Sequence, residues 1–221
     1  MTLETIEHET GADPRASIIV LHGLGADGND FVPICDEIDL SAVGPVRYVF
    51  PHAPVRPVTI NGGQPMRAWF DVLSFERGSN EDEDGMRASQ ALIDALIEAE
   101  IARGVPASRI VLMGFSQGCA MTLMTGLRYP QRLAGLVALS GWLPLVDSTA
   151  AERAEENAET PIFLAHGTAD SVVPFARAEF SRDRLNELGH AVEWHAYSIV
   201  HTVSLQEIHD IEAFLQRALA E

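Results

Sequence analysis

Two cysteines, Cys35 and Cys119, are all that the 221 residues contain. So few thiols exclude a disulfide scaffold and a cysteine-rich zinc site, and they suit a compartment that keeps thiols reduced. Positive charge is also scarce. Lys and Arg number 15 against 32 Asp and Glu, a formal net charge of −17. A chain this acidic repels phosphate backbones and anionic lipid, so neither nucleic acid nor a stable membrane association is expected. Long apolar runs are missing. The longest near-apolar stretch, Ala134 to Val146, contains Gly141 and Pro144 and is too short to cross a bilayer. The N-terminus carries Glu4, Glu7, Glu9 and Asp13 with no apolar centre, unlike a secretory signal. Repeats and low-complexity tracts are absent. With 47 % hydrophobic and 21 % charged residues, the expectation is a soluble cytoplasmic protein folding as a single domain over residues 1–221.

What is present is alternation. Short β-branched runs at Ser17–His22, Val46–Phe50, Arg109–Met113, Leu133–Leu139, Pro161–Ala165 and Val192–Tyr197, mostly continuous in their apolar residues, read as strands buried on both faces. Helical patterns lie between them, at Phe31–Ile38, after an Asn80–Glu83 cap, and at Gly118–Arg128, Ala150–Ala158 and Ala176–Leu188. A last helix begins at Ser204, with Glu207 completing a capping box. Strand and helix in turn imply an α/β fold with a mainly parallel central sheet flanked by helices. Residues 51–78 break the rhythm. They are rich in Pro and Gly, and Asn61-Gly62-Gly63 reads as the turn of a small hairpin.

Two glycine motifs compete for the chemistry. Gly23-Leu24-Gly25-Ala26-Asp27-Gly28 follows the first strong strand and matches a dinucleotide fingerprint, which would make the protein a nucleotide-binding oxidoreductase. Its surroundings argue against this. The next strand ends at Phe50-Pro51-His52 where a ribose-binding acid belongs, and Asp27 and Asp30 would face a pyrophosphate.

The second motif, Gly114-Phe115-Ser116-Gln117-Gly118, joins a strand to a helix. A nucleophile on so sharp a turn needs small neighbours on both sides, and the helix N-terminus behind it offers N–H donors to an oxyanion. A serine hydroxyl needs a base, and the base needs an orienting carboxylate. Asp170 and His201 follow the last two strands in the required order, on the same sheet edge as Ser116. Leu24, in the loop after the first strong strand, is placed to pair its N–H with that of Gln117 as an oxyanion hole. Among the other histidines, His22 and His166 read as loop braces. His52 lies in the irregular segment near the expected cleft. No pair has the spacing of a helical metal motif, so neither metal nor cofactor is expected.

With these residues in view, the sequence resembles the small carboxylesterase and acyl-protein thioesterase family. The resemblance is carried by Leu21-His22-Gly23-Leu24-Gly25-Ala26-Asp27-Gly28, Thr59-Ile60-Asn61-Gly62-Gly63, Trp69-Phe70-Asp71, the elbow at 114–118, Gly167-Thr168-Ala169-Asp170 and Gln206-Glu207-Ile208. It implies an α/β-hydrolase fold without a large cap domain and cofactor-free hydrolysis of esters or thioesters. It places nucleophile, acid and base on Ser116, Asp170 and His201 and the oxyanion donors on Leu24 and Gln117. The family's tendency to dimerise extends to a possible homodimer. Two positions depart from the pattern. Val200, preceded by Ile199, stands where the family has glycine before the histidine, and Cys119 stands where glycine often follows the elbow. The first substitution leaves a catalytically silent binding module as a rival reading. Cys119 reads as a small packed residue.

Trp69, Leu73 and Phe75, with Val172 after the acid, are candidates to line an apolar acyl groove. For Trp69 the alternative is to pin the hairpin to the core. Simple esterase, acyl-protein thioesterase and lysophospholipase are not separated by sequence.

Overall fold

The computed structural model describes residues 3–75 and 80–220. In chain order the elements are β1 (Thr5–Glu9), β2 (Ala16–Leu21), α1 (Ile34–Glu37), β3 (Val46–Pro51), β4 (Val55–Val58), β5 (Gln64–Arg67), α2 (Glu83–Ala102), β6 (Ile110–Phe115), α3 (Gln117–Gly126), β7 (Gly135–Leu139), α4 (Val146–Glu152), β8 (Ile162–Gly167), α5 (Phe175–Glu187), β9 (Val192–Tyr197) and α6 (Leu205–Ala218). Seven strands form one sheet in the order β1-β3-β2-β6-β7-β8-β9, parallel except for β1. The central strands β2, β6, β7 and β8 are almost wholly apolar because both faces are covered. On one face Ile19, Leu21, Leu112, Leu136 and Leu164 pack with Met86, Ile93 and Ile97 of α2 and Leu123 of α3. On the other, Ile18, Val20, Val111, Val137 and Phe163 meet Ile34 of α1 and Ile211, Phe214 and Leu215 of α6. Successive residues of one strand thus serve opposite layers.

The strand order also fixes where a ligand belongs. From β2 the chain moves outward to β3, whereas from β6 it moves the opposite way through β7, β8 and β9. The crevice between β2 and β6, at their carboxyl ends, is the topological switch point of the sheet.

Several boundaries differ from the sequence reading. Thr5–Glu9, in the acidic N-terminal stretch that gave no strand signal, is an edge strand; its largely exposed residues do not show as an apolar run. Pro33 divides the expected helix at 31–38 into a 3-10 turn over Gly28–Phe31 and the short α1. The cap of α2 is Asp82, which accepts from Gly85 N–H, and not Asn80. Glu81 instead turns inward to accept from Trp142 Nε1–H and Leu145 N–H. The helix expected at 150–158 starts earlier, at Val146, and ends at Glu152, followed by a 3-10 turn over Glu155–Asn157. The hairpin exists as β4–β5, with Gly62 and Gly63 at φ 68° and 75°.

Candidate active site

Ser116 follows the last residue of β6 with φ 55° and ψ −113°, a strained conformation for a residue bearing a Cβ. The local sequence makes this turn possible. A Cβ on Gly114 would lie 2.2 Å from the Gly118 carbonyl oxygen, and one on Gly118 would lie 2.0 Å from that of Leu21. Gly141, after β7, completes the same requirement: a Cβ there would sit 2.5 Å from both Ser116 O and Cys119 Cβ. This third glycine is remote in sequence and belongs to no local motif. Cys119 is fully buried and its thiol is pushed upward in pKa by that burial, so it packs as an apolar residue.

The carboxyl ends of β8 and β9 bring in the partners. His201 Nδ1 lies 2.7 Å from Asp170 Oδ2, and its Nε2 lies 3.0 Å from Ser116 Oγ. The carboxylate can only accept, so Nδ1 carries the hydrogen and Nε2 is free to receive the serine proton. The other Asp170 oxygen accepts the N–H groups of Val172 and Val173 at 2.8 and 2.9 Å. The Asp170 side chain has no solvent exposure, and the Phe115 ring stands 4.7 Å from the imidazole of His201. The Ile199-Val200 pair does not disturb this geometry. Gly167 lets the Ile199 and Val200 carbonyls approach to where its Cβ would be, and the Val200 side chain points into solvent.

The first glycine motif is an internally fastened loop. Gly25 N–H donates to the Arg67 carbonyl at 2.9 Å, and Gly28 N–H to His52 Nδ1 at 3.1 Å. His22 Nδ1–H donates to the Gly23 carbonyl, and its Nε2 accepts from Ala53 N–H. Burial holds the His22 pKa below its ordinary value, so the ring braces the loop as a neutral group. His52 likewise braces the loop. With the third glycine's N–H taken by His52 and Asp27 capping the next turn, the loop is not arranged as a pyrophosphate cradle.

Trp69 corrects the expected groove. It is fully buried, and its indole N–H donates to the His22 carbonyl at 3.0 Å. It therefore pins the hairpin segment beneath the loop and offers no surface to a ligand. The Gln117 side chain, which the sequence reading left without a role, clamps the same segment. Its Oε1 accepts from Trp69 N–H at 2.7 Å and its Nε2 donates to the Phe70 carbonyl at 2.8 Å. Phe75 packs edge-on against Trp142 with ring centroids 6.0 Å apart, while Leu73 and Val172 are exposed apolar side chains.

A strained serine at the switch point of a doubly covered parallel sheet, in contact with a carboxylate-braced histidine, defines a serine hydrolase of the α/β-hydrolase fold. The chain belongs to the phospholipase/carboxylesterase family, whose model matches residues 3–219. It is 39 % identical to acyl-protein thioesterase 1 of Yarrowia lipolytica, with 93 % of each chain covered. The crystal structure of Arabidopsis thaliana SOBER1 is similar at a TM-score of 0.89 and 38 % identity, over 93 % of this chain and all of that one. That of Zea mays acyl-protein thioesterase 2 has a TM-score of 0.83 at 31 % identity, over 97 % of this chain and 99 % of that one. No described helix is long and apolar enough to cross a membrane.

Proposed function

We propose that the protein hydrolyses carboxylic esters of small to medium acyl groups through Ser116, His201 and Asp170, by way of an acyl-enzyme. The observation that carries this reading is the continuous contact from Asp170 Oδ2 through His201 to Ser116 Oγ, at 2.7 and 3.0 Å. His201 Nε2 takes the hydroxyl proton as Ser116 Oγ bonds to the acyl carbon. The carbonyl oxygen gathers negative charge and is met by the N–H groups of Leu24 and Gln117; the latter is the first N–H of α3, which has no partner within its own helix. The alcohol leaves with the proton from His201. Water then repeats the sequence on the acyl carbon, releasing the acid and restoring Ser116. Leu73, Phe75 and Val172 are the residues proposed to meet the acyl chain.

A second reading, thioester hydrolysis on acylated protein, is favoured by the names of the thioesterase relatives. A panel of p-nitrophenyl esters, acyl-CoA, lysophospholipid and S-acylated peptide separates the two, and also separates a lysophospholipase. Turnover of esters without turnover of the peptide supports the first; the reverse supports the second. In either case Ser116→Ala is expected to lower turnover about a millionfold while the protein stays folded. Fluorophosphonate labelling of the wild type should add one adduct at Ser116, read by intact mass. Substantial turnover by Ser116→Ala would overturn the assignment. The place of action is proposed to be the cytoplasm, which suits the free thiols of Cys35 and Cys119. Light scattering at micromolar concentration tests the homodimer.

A further inference from the structure

We propose that His166 is a positioning residue of the reaction, tempering through Asp170 the hold that this carboxylate has on His201. The proposal rests on the triad reading above.

His166 lies near the end of β8 with no exposed surface. Its Nε2 is 3.0 Å from the Val173 carbonyl oxygen and 3.2 Å from Asp170 Oδ2. Both neighbours are acceptors, so Nε2 carries the hydrogen; it donates to the Val173 carbonyl, and Asp170 Oδ2 lies beside the same N–H without an aligned hydrogen bond. Nδ1 is buried, and among the described residues it has no hydrogen-bond partner. Burial keeps the imidazole below its ordinary pKa and therefore neutral, outweighing the pull of the Val173 carbonyl and the Asp170 charge. The Phe175 ring from α5 lies 6.0 Å away. The charged or titratable groups acting on His166 are Asp170 and His201. Around His201 stand Asp170, the Ser116 hydroxyl and the Phe115 ring.

Asp170 Oδ2 thus faces two imidazoles, His201 at 2.7 Å and His166 at 3.2 Å. The same His166 N–H ties down the Val173 carbonyl, which closes the turn whose amides hold the other Asp170 oxygen. A carboxylate oxygen with a second N–H dipole close beside it has less negative potential left to favour an imidazolium on its first partner. Removing the second donor makes Asp170 a stronger partner for the protonated form of His201. The free base that accepts the Ser116 proton then forms only at higher pH.

The test compares wild type, His166→Phe and His166→Gln in the pH profile of kcat/KM for p-nitrophenyl butyrate. In His166→Phe the acid limb is expected to move up by roughly half a pH unit or more, with kcat lowered and KM unchanged. His166→Gln places an amide N–H near the position of Nε2 and should return the limb toward the wild type. A limb in His166→Phe that coincides with the wild type, or an equal displacement in both variants, overturns the proposal.

Should His166→Phe not fold, histidine ¹⁵N NMR of the wild type decides. The resonance lost in His166→Gln should report a neutral Nε2–H tautomer from about pH 6 to 8. An Nδ1–H tautomer or a cation in that range overturns the proposal. Failure of the triad reading is distinguishable: it appears as full turnover in Ser116→Ala, and it removes this inference with it.

Discussion

The two ends of the parallel strands are built on opposite electrostatic plans. At the amino ends, fully charged groups are locked together. Arg47 of β3 bonds Glu100 of α2 and Glu9 of β1, each at 2.8 Å, and Ser17 of β2 donates to Glu100. Arg103 adds bonds to Glu7 at 2.8 Å and Glu100 at 3.0 Å. Around Ser116 at the carboxyl ends the polar groups are mostly neutral: backbone amides, imidazoles held uncharged by burial, a hydroxyl, and the carboxylate of Asp170. The lesson is one of reactivity. Paired charges tie a sheet to its helix where nothing has to change protonation. A site that must move a proton and host a transient oxyanion is better served by dipoles and one fixed charge, because further ions would titrate or compete.

This contrast can be broken at either end. The largest effect on stability is expected at the charged end. Arg47→Met leaves Glu100 buried with its principal partner gone, which should lower the unfolding free energy by about 3–5 kcal/mol. Turnover per folded molecule should not change, as measured by urea titration and by active-site counting with a fluorophosphonate. A fall in turnover per labelled site would mean that the two ends are coupled.

At the neutral end the expected effect is smaller and opposite in kind. Trp69→Phe removes the N–H that holds the His22 carbonyl beneath the proposed oxyanion loop. It should reduce kcat roughly tenfold, about 1.4 kcal/mol in the barrier, with little change in KM. Loss of KM alone would place Trp69 in substrate binding after all.

The smallest effect concerns Glu207, the buried capping-box carboxyl of α6, which burial pushes up to about 7. Its folded pKa is above the ordinary 4.5, so between these values the native state holds more protons than the unfolded one. Stability from this group therefore falls as pH rises through that window and stays low above it. Glu207→Gln keeps the cap acceptor without the ionisation and should raise stability by about 1 kcal/mol at pH 8, and by less near pH 5. Thermal melts at the two pH values give the sign.

The sequence made the proposed reacting residues legible because each is locked to a local pattern. Ser116 needs Gly114 and Gly118; Asp170 follows a strand whose apolar run is nearly continuous, and His201 lies between a strand and the capping box of the last helix. Positions governed by distant partners were not legible. Glu81 turns inward because Trp142 and Leu145, more than 60 residues away in sequence, present N–H groups to it. This moved the helix cap to Asp82. Trp69 looks like a groove aromatic until the carbonyl of His22 claims its indole, and the Gln117 side chain has no evident task in the sequence until the backbone of 69–70 occupies its amide. The β1 strand was invisible for a related reason. It is edge structure with one neighbour, so its residues did not need to be apolar.

That neighbourless flank has a consequence for how the protein behaves when crowded. The outermost strands, β1 and β9, each leave one row of backbone groups unmatched, and such rows invite stacking of copies into fibrous aggregates. Glu7, His8 and Glu9 line one rim, and Glu193 and His195 the other. Adding a foreign strand to either rim would strip water from these side chains. The polar rims thus work against self-templated aggregation.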